Sequence, residues 1–265
     1  MIYRCKKEIV VAVGLLFLFS ATLFAKTEKN LEVKSVDMAG KQRMLSQRIA
    51  KDYLYLHKHI ASTKTQKELD ASLIEFANKH KALRSLIKDD EIHNLLEFVE
   101  LSYEEIQEII QKPFSLDNAQ LVLDLSESML EGSQYVVDSL KKSIDTKASK
   151  VVAISGKQRM LSQRIGKYYI VYQLGIKDKN TIESMNNSVD EFNKNLTFLL
   201  NNKENTPLIE KKLKKVKRLW KIVYKFYQNI EKGGLPLIVF NTTNKITKQM
   251  DEITEHYVEL KIKRQ

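Results

Sequence analysis

Ten consecutive residues occur twice in this chain, and no other feature restricts its fold as much. Gly-Lys-Gln-Arg-Met-Leu-Ser-Gln-Arg-Ile runs from Gly40 to Ile49 and again from Gly156 to Ile165, a spacing of 116 residues. Cores accept swaps of similar volume, so ten side chains kept while their surroundings diverge point to a site. The correspondence extends further. Glu75-Phe76 and Leu83 match Glu191-Phe192 and Leu199 at the same offset. Ile92, Val99 and Tyr103 match Ile209, Val216 and Trp220 at 117, and Met129 and Tyr135-Val136 match Met250 and Tyr257-Val258 at 121 to 122. A tandem duplication of a unit of about 116 residues accounts for this pattern.

Only three prolines and eight glycines interrupt 265 residues. No run of β-branched alternation bounded by turn residues is present, so the reading is all-α. Helices are expected over 30–61, 65–87, 90–112, 116–144, 148–175, 179–201, 206–231 and 236–262. Breaks fall at Ser62-Thr63, Lys88-Asp89, Pro113, Gly175, Pro207 and Gly233-Gly234 with Pro236. Asp117 is the expected cap of the fourth helix, and Thr206 that of the seventh, ahead of a first-turn proline. The architecture is then two tandem up-down four-helix bundles, 26–145 and 146–265. The junction around Ser143–Ser149 contains neither Gly nor Pro. It is either a tight turn or the middle of one long rod.

Residues 1–25 have the pattern of a secretory signal peptide. Arg4, Lys6 and Lys7 precede an apolar run from Ile9 to Phe24, and Ala25 offers a small residue at a cleavage point. The run of about 16 residues falls short of the roughly 20 that a membrane span needs. An uncleaved inner-membrane anchor is the alternative, and either reading exports the rest of the chain to the periplasm. Cys5 is the one cysteine, so the mature chain has no disulfide framework and no thiol nucleophile. The whole chain carries +11; losing residues 1–25 removes three basic residues and one acid, leaving +9. Export argues against nucleic acid as the partner for that charge and leaves anionic surfaces, acidic partners or small anions. Much of the excess recurs from Lys211 to Lys221, read as a solvated helix face.

On a helix of 100° per residue the repeated segment shows two faces. Met38, Leu45, Ile49 and Leu56 form one stripe, with Ile154, Leu161, Ile165 and Tyr172 in the second copy, and these are core faces. Arg43 lies about 200° from Leu45. Around it run Val36, Gly40, Gln47, Ala50 and Leu54, matched by Val152, Gly156, Arg159, Gln163, Gly166 and Ile170. A solvent-facing stripe would be rich in Lys and Glu. This one has apolar ends, small residues and a single arginine, so it reads as an interface between two bundles with one arginine from each side.

Two guanidinium groups in a partly desolvated interface repel, and neither loses its proton near neutrality. A bound oxyanion suits arginine's planar fork, and mid-helix Gly40 and Gly156 allow close approach to the backbone. The alternative is neutralisation by protein carboxylates. Asp37 and Asp52 flank the first motif, but Ala153 and Tyr168 stand at those positions in the second. Arg48 and Arg164 lie on a different face and are expected to bridge to acids such as Glu75 or Glu191. Ser46 and Ser162 either bond back to helix carbonyls or line the site. Met44 and Met160 read as packing. His57 and His59 have the wrong spacing for one metal site and read as surface residues. No nucleophile–base pair, phosphate loop or metal motif is visible, so neither an enzyme nor a cofactor is expected.

The segments Met38–Arg48 and Ser155–Arg164 resemble the signature of PilJ-type domains, the periplasmic N-terminal domains of type IV pili methyl-accepting chemotaxis transducers. These are related to the sensor domains of NarX/NarQ-type nitrate and nitrite sensor kinases. The resemblance implies a four-helix-bundle sensor with a small oxyanion between two first helices. Carried over, the ligand-binding residues are Arg43 and Arg159, with Gly40 and Gly156 as backbone partners. Gln47 and Gln163 on the same stripe complete the expected ligand set. Two copies in one chain imply a pseudo-dimer with one internal site; if the motifs do not pair within a chain, a homodimer is required. The sequence ends without a kinase or methyl-accepting region. The implied function is therefore sensing of an oxyanion, nitrate or nitrite first, with a membrane-bound sensor kinase or chemoreceptor-like partner. The alternative is a ligand-free interaction module serving a chemotaxis, pilus or sensor-kinase system.

Overall fold

Helix boundaries follow local chemistry through most of the chain. The structure is a computed structural model and describes residues 34–142, 146–232 and 234–263. The proposed signal peptide, Cys5 and the junction residues 143–145 lie outside the described residues. The helices are α1 (34–57), α2 (Ser62–Leu86), α3 (Asp90–Ile110), α4 (Leu116–Lys142), α5 (Thr146–Leu174), α6 (Lys179–Leu200), α7 (Pro207–Gln228) and α8 (Pro236–Lys263). No strand occurs among the described residues. Asp89, Asp178 and Thr206 cap α3, α6 and α7 by accepting from the third following amide. Ser115, not Asp117, supplies this bond for α4, accepting from the Asn118 amide at 3.0 Å. Asp117 sits inside the first turn. The α1–α2 turn comes earlier than the sequence suggests, because His59 and Ala61 adopt left-handed φ of 57° and 48° without a glycine to signal it.

Within the first four helices, α1 bonds to α2 and α4, and α3 packs on α2 and α4. The last four repeat this, α5 packing on α6 and α8, and α7 on both of them. Each half stacks the same aromatic pair: Phe76 on Tyr103 at 4.5 Å and Phe192 on Trp220 at 4.1 Å between centroids. Trp220 also donates to Asn193 Oδ1 at 2.6 Å, as a buried indole must. The burial pattern of α4 recurs in α8 at an offset of 121 throughout, pairing Ala119, Ser126, Met129 and Val136 with Phe240, Thr247, Met250 and Tyr257. That corrects the offset of 122 drawn from Tyr135-Val136. The peripheral helices are amphipathic: α7 buries Ile209, Leu213, Val216, Trp220, Val223 and Tyr227 at alternating spacings of four and three.

The inner helices are different. Around the repeated motif, α1 and α5 are buried on nearly every side. One stripe faces its own bundle; the other comes up against the opposite half at its glycines, Gly40, Gly156 and Gly166, while its glutamines bond within their own bundle. Because Arg159 on α5 bonds Asp37 on α1 at 2.8 Å, the motifs meet within one chain. Helices α4 and α5 therefore do not form one rod, and no homodimer is needed to pair the motifs. Among the described residues no helix is long and apolar enough to cross a membrane.

Candidate functional site

The two glycines of the repeat create the gap that the two arginines fill. A Cβ on Gly40 would stand 3.2 Å from Arg159 Nη2 and 3.5 Å from Arg43 Nη2. A Cβ on Gly156 would stand 3.2 and 3.8 Å from the same atoms. Both guanidinium tips therefore lie in one seam between α1 and α5, with Arg43 only 2 % exposed and Arg159 0 %. Four of the six residues named from the sequence meet here. Gln47 and Gln163 do not join them. One turn along, Gln47 donates to the Ser126 carbonyl at 2.8 Å and Gln163 to Thr247 Oγ1 at 2.5 Å, each within its own bundle. Ser46 and Ser162 bond back to the carbonyls of Arg43 and Arg159 at 2.9 and 2.8 Å, and Ser162 also contacts Thr247.

The two arginines differ in how they are neutralised. Arg159 donates to Asp37 Oδ1 at 2.8 Å and to Asp251 Oδ1 at 2.6 Å. Burial alone would lower its pKa, but these carboxylates outweigh that and hold it above the ordinary arginine value. Protein carboxylates thus do neutralise one arginine, against the weighting drawn from the unmatched acids of the two motifs. The acids come from α1 and α8 together. Arg43 has no carboxylate at ion-pair distance among the described residues. It donates to Gln134 Oε1 at 2.5 Å, and Gln134 in turn donates to Asp138 Oδ2 at 2.7 Å. Its Nε is buried without a partner. Burial, then Arg159, pull its pKa down to about 10, still charged at neutral pH.

The duplication explains this asymmetry. Asp37, Asp251 and Glu255 surround Arg159 and Lys41; Lys41 lies 3.4 Å from Asp251 and from Glu255. At the corresponding positions on the other side stand Ala153, Leu130 and Gln134. One half of the seam carries three acids and the other has none of them.

Below the arginines lies a second buried layer that sequence reasoning missed. Lys51 and Lys167, both fully buried, reach across to the opposite half. Lys51 meets Asn244 at 2.5 Å and its neighbour Asp52 at 3.0 Å, and its chain rests where a Cβ on Gly166 would stand, 3.3 Å away. Lys167 bonds Ser126 Oγ at 2.9 Å and Glu127 at 2.5 Å, and Arg164 also bonds Glu127. Burial would raise the Glu127 carboxyl, but Lys167 and Arg164 outweigh it and hold it at about 2. Burial of Lys167 brings its ammonium down to about 8. The available signal was that Lys51 and Lys167 also recur at 116 residues.

Other expectations shift in detail. Arg48 approaches Asp52 and Glu68, and Arg164 takes Glu127, so neither bridges to Glu75 or Glu191; Glu191 pairs with Lys157 instead. His57 is half-buried, stacked on Phe114 at 4.4 Å between centroids, rather than a surface group. Gln42, inside the motif, bonds the buried His80 at 2.9 Å.

Paired helical bundles that bury two arginines in the seam between their first helices define the class: an all-α helical-bundle module. The chain belongs to the PilJ family: the family model described as "Type IV pili methyl-accepting chemotaxis transducer N-term" matches residues 29–115 and 143–237. That family is one of sensory modules, and its two matched segments start the two copies of the repeat. No curated protein and no solved structure matches the chain.

Proposed function

We propose that this protein is a periplasmic sensory module that binds one small oxyanion in the seam between α1 and α5 and passes its bound state to a separate membrane partner. The units 26–145 and 146–265 are in this reading the two halves of one receptor. The carrying observation is Arg43, a fully buried guanidinium with no carboxylate at ion-pair distance among the described residues; its Nε, like that of Arg159, has no partner. A buried ion left uncompensated costs several kcal/mol, and an oxyanion held by the guanidinium fork offsets it. The asymmetry gives the stoichiometry: Arg159 already has two carboxylates and Arg43 has none at ion-pair distance, so one anion, at Arg43, is expected per chain. Arg159, Gly40 and Gly156 shape the seam, whereas Gln47 and Gln163 act as struts one turn away. Nitrate and nitrite are the first ligands to try, on the resemblance to nitrate-sensor domains. A membrane-bound kinase or chemoreceptor-like protein is the partner expected of a chain with this family's sensory unit.

The Asp37–Arg159–Asp251 cluster favours a second reading, a ligand-free module that docks a partner helix. Thermal melts against a panel of oxyanions separate the two. Selective binding raises the melting temperature with the logarithm of anion concentration. A melting temperature indifferent to every anion in the panel leaves the docking module.

A further inference from the structure

The outermost helices of the two halves carry opposite charge at equivalent positions. Helix α3 contains seven carboxylates and no lysine or arginine. Helix α7, its duplicate, contains eight lysines and arginines and a single glutamate. The inversion is positional: at the offset of 117, Glu97, Glu100, Glu104 and Glu108 correspond to Lys214, Lys217, Lys221 and Lys225. A groove lies beside each helix, of mixed sign next to α3, where Lys81 and Arg84 face Glu100 and Glu104, and purely basic next to α7. His80, Arg84, Glu100, Tyr103 and Glu104 line one of about 520 Å³ between α2 and α3. Its counterpart between α6 and α7, about 510 Å³, is lined by Leu196, Leu200, Lys217, Trp220 and Lys221.

Little inside the molecule neutralises these faces. Among the described residues Glu97, Glu104, Glu105 and Glu108 have no ion pair, and neither do Lys211, Lys215, Lys217, Arg218, Lys221 and Lys225. Like charges a turn apart are unfavourable in an isolated helix, and a face that only meets solvent mixes its signs. Among the described residues α3 packs on α2 and α4, and α7 on α6 and α8, each within its own half, so the charges stand on flanks away from the α1–α5 seam. On α3 the acids rim an apolar centre, Phe98 and Leu101, 48 % and 62 % exposed. Their counterparts on α7, Lys215 and Arg218, offer long alkyl stems under charged heads, the surface that such a centre fits.

We propose that copies of this chain associate head to tail, the acidic α3 face of one molecule docking on the basic α7 face of the next. Contacts of α3 with α3 or α7 with α7 set like charges together, which leaves the heterologous contact; because its two faces lie on opposite flanks, it propagates as an open row. The proposal is independent of the anion site.

Sedimentation velocity of the purified protein tests it, at about 20 mM and about 300 mM salt, where screening lengths differ several-fold. The expected result is a mass that grows with concentration at low salt and falls to the monomer at high salt. Two charge-weakened proteins, Glu97→Lys with Glu104→Lys, and Lys214→Glu with Lys221→Glu, are each expected to associate on the order of tenfold or more weakly alone. Their equimolar mixture regains association as a one-to-one pair, because the unaltered α3 face of the second meets the unaltered α7 face of the first; circular-dichroism melts confirm that both variants fold. A wild-type protein that stays monomeric at low salt overturns the proposal, as do variants that associate unchanged or a mixture that does not recover. Capture of a monomeric wild type by vesicles of anionic lipid, lost in the α7 variant, also overturns it and assigns the basic face to a lipid surface.

Discussion

Replacing Arg43 by methionine should make the anion-free protein more stable, whereas the same change at Arg159 should do the reverse. A buried guanidinium held at about 10 instead of 12.5 opposes folding by roughly 3 kcal/mol. Arg43→Met removes that opposition and keeps most of the side-chain volume. It gives up the 2.5 Å bond to Gln134, worth about 1.5–2 kcal/mol because its donor is charged. The net gain is about 1–1.5 kcal/mol, or a rise in Tm of about 2–6 °C for a chain of this size. Arg159→Met strands Asp37 and Asp251 beside each other, with Lys41 as their remaining cation, and should cost about 3 kcal/mol. Urea denaturation at low ionic strength measures both, in a buffer whose anion is too bulky to enter the seam. If both variants lose stability by similar amounts, the two arginines are equivalently compensated and the asymmetry argued from the duplication is wrong.

Gly156→Ala trades a helix-propensity gain of about 1 kcal/mol against a methyl 3.2 Å from Arg159 Nη2, which two carboxylates pin in place. Net loss of stability together with weaker anion binding is expected, read by thermal melts with and without anion. Gly132→Ala should cost about 1–3 kcal/mol in urea titrations, because its Cβ would fall 2.5 Å from the fully buried Val99. Glu127→Gln should cost about 3 kcal/mol by leaving Lys167 and Arg164 uncompensated. Glu127 titrates at about 2 in the fold, below its ordinary 4.5, so its contribution is complete above about pH 4.5 and fades as pH falls toward 2. The acid limb of the stability profile should therefore flatten in Glu127→Gln, and an unchanged limb would show that this carboxylate does not carry it.

Much of this molecule was legible in its sequence because duplication repeats its signals. The eight helices fall where proline, glycine and capping residues place them. The α1–α2 turn, expected at Ser62-Thr63, starts a few residues earlier because His59 and Ala61 adopt left-handed conformations that those residue types do not advertise. The second stripe on α1 and α5 was readable as an interface because a solvated face would not place Gly40, Ala50 and Leu54 around Arg43. What escaped was pairing across the seam. Asp37 was weighed only against its counterpart in the other motif, whereas the structure brings Asp251 from a distant helix to the same arginine. The Gln47 and Gln163 stripe positions were correctly buried, but a helical wheel does not show that Ser126 and Thr247 claim their amides. Lys51 and Lys167 were equally hidden, since lysine reads as a surface residue until a partner such as Glu127 is in place.

Titration calorimetry of the purified protein with nitrate and nitrite at low ionic strength measures the central claim most directly. The account predicts binding of one anion per chain, abolished by Arg43→Met even though that variant folds more stably. Absence of heat with every small oxyanion tried, or an unchanged isotherm in Arg43→Met, would contradict it.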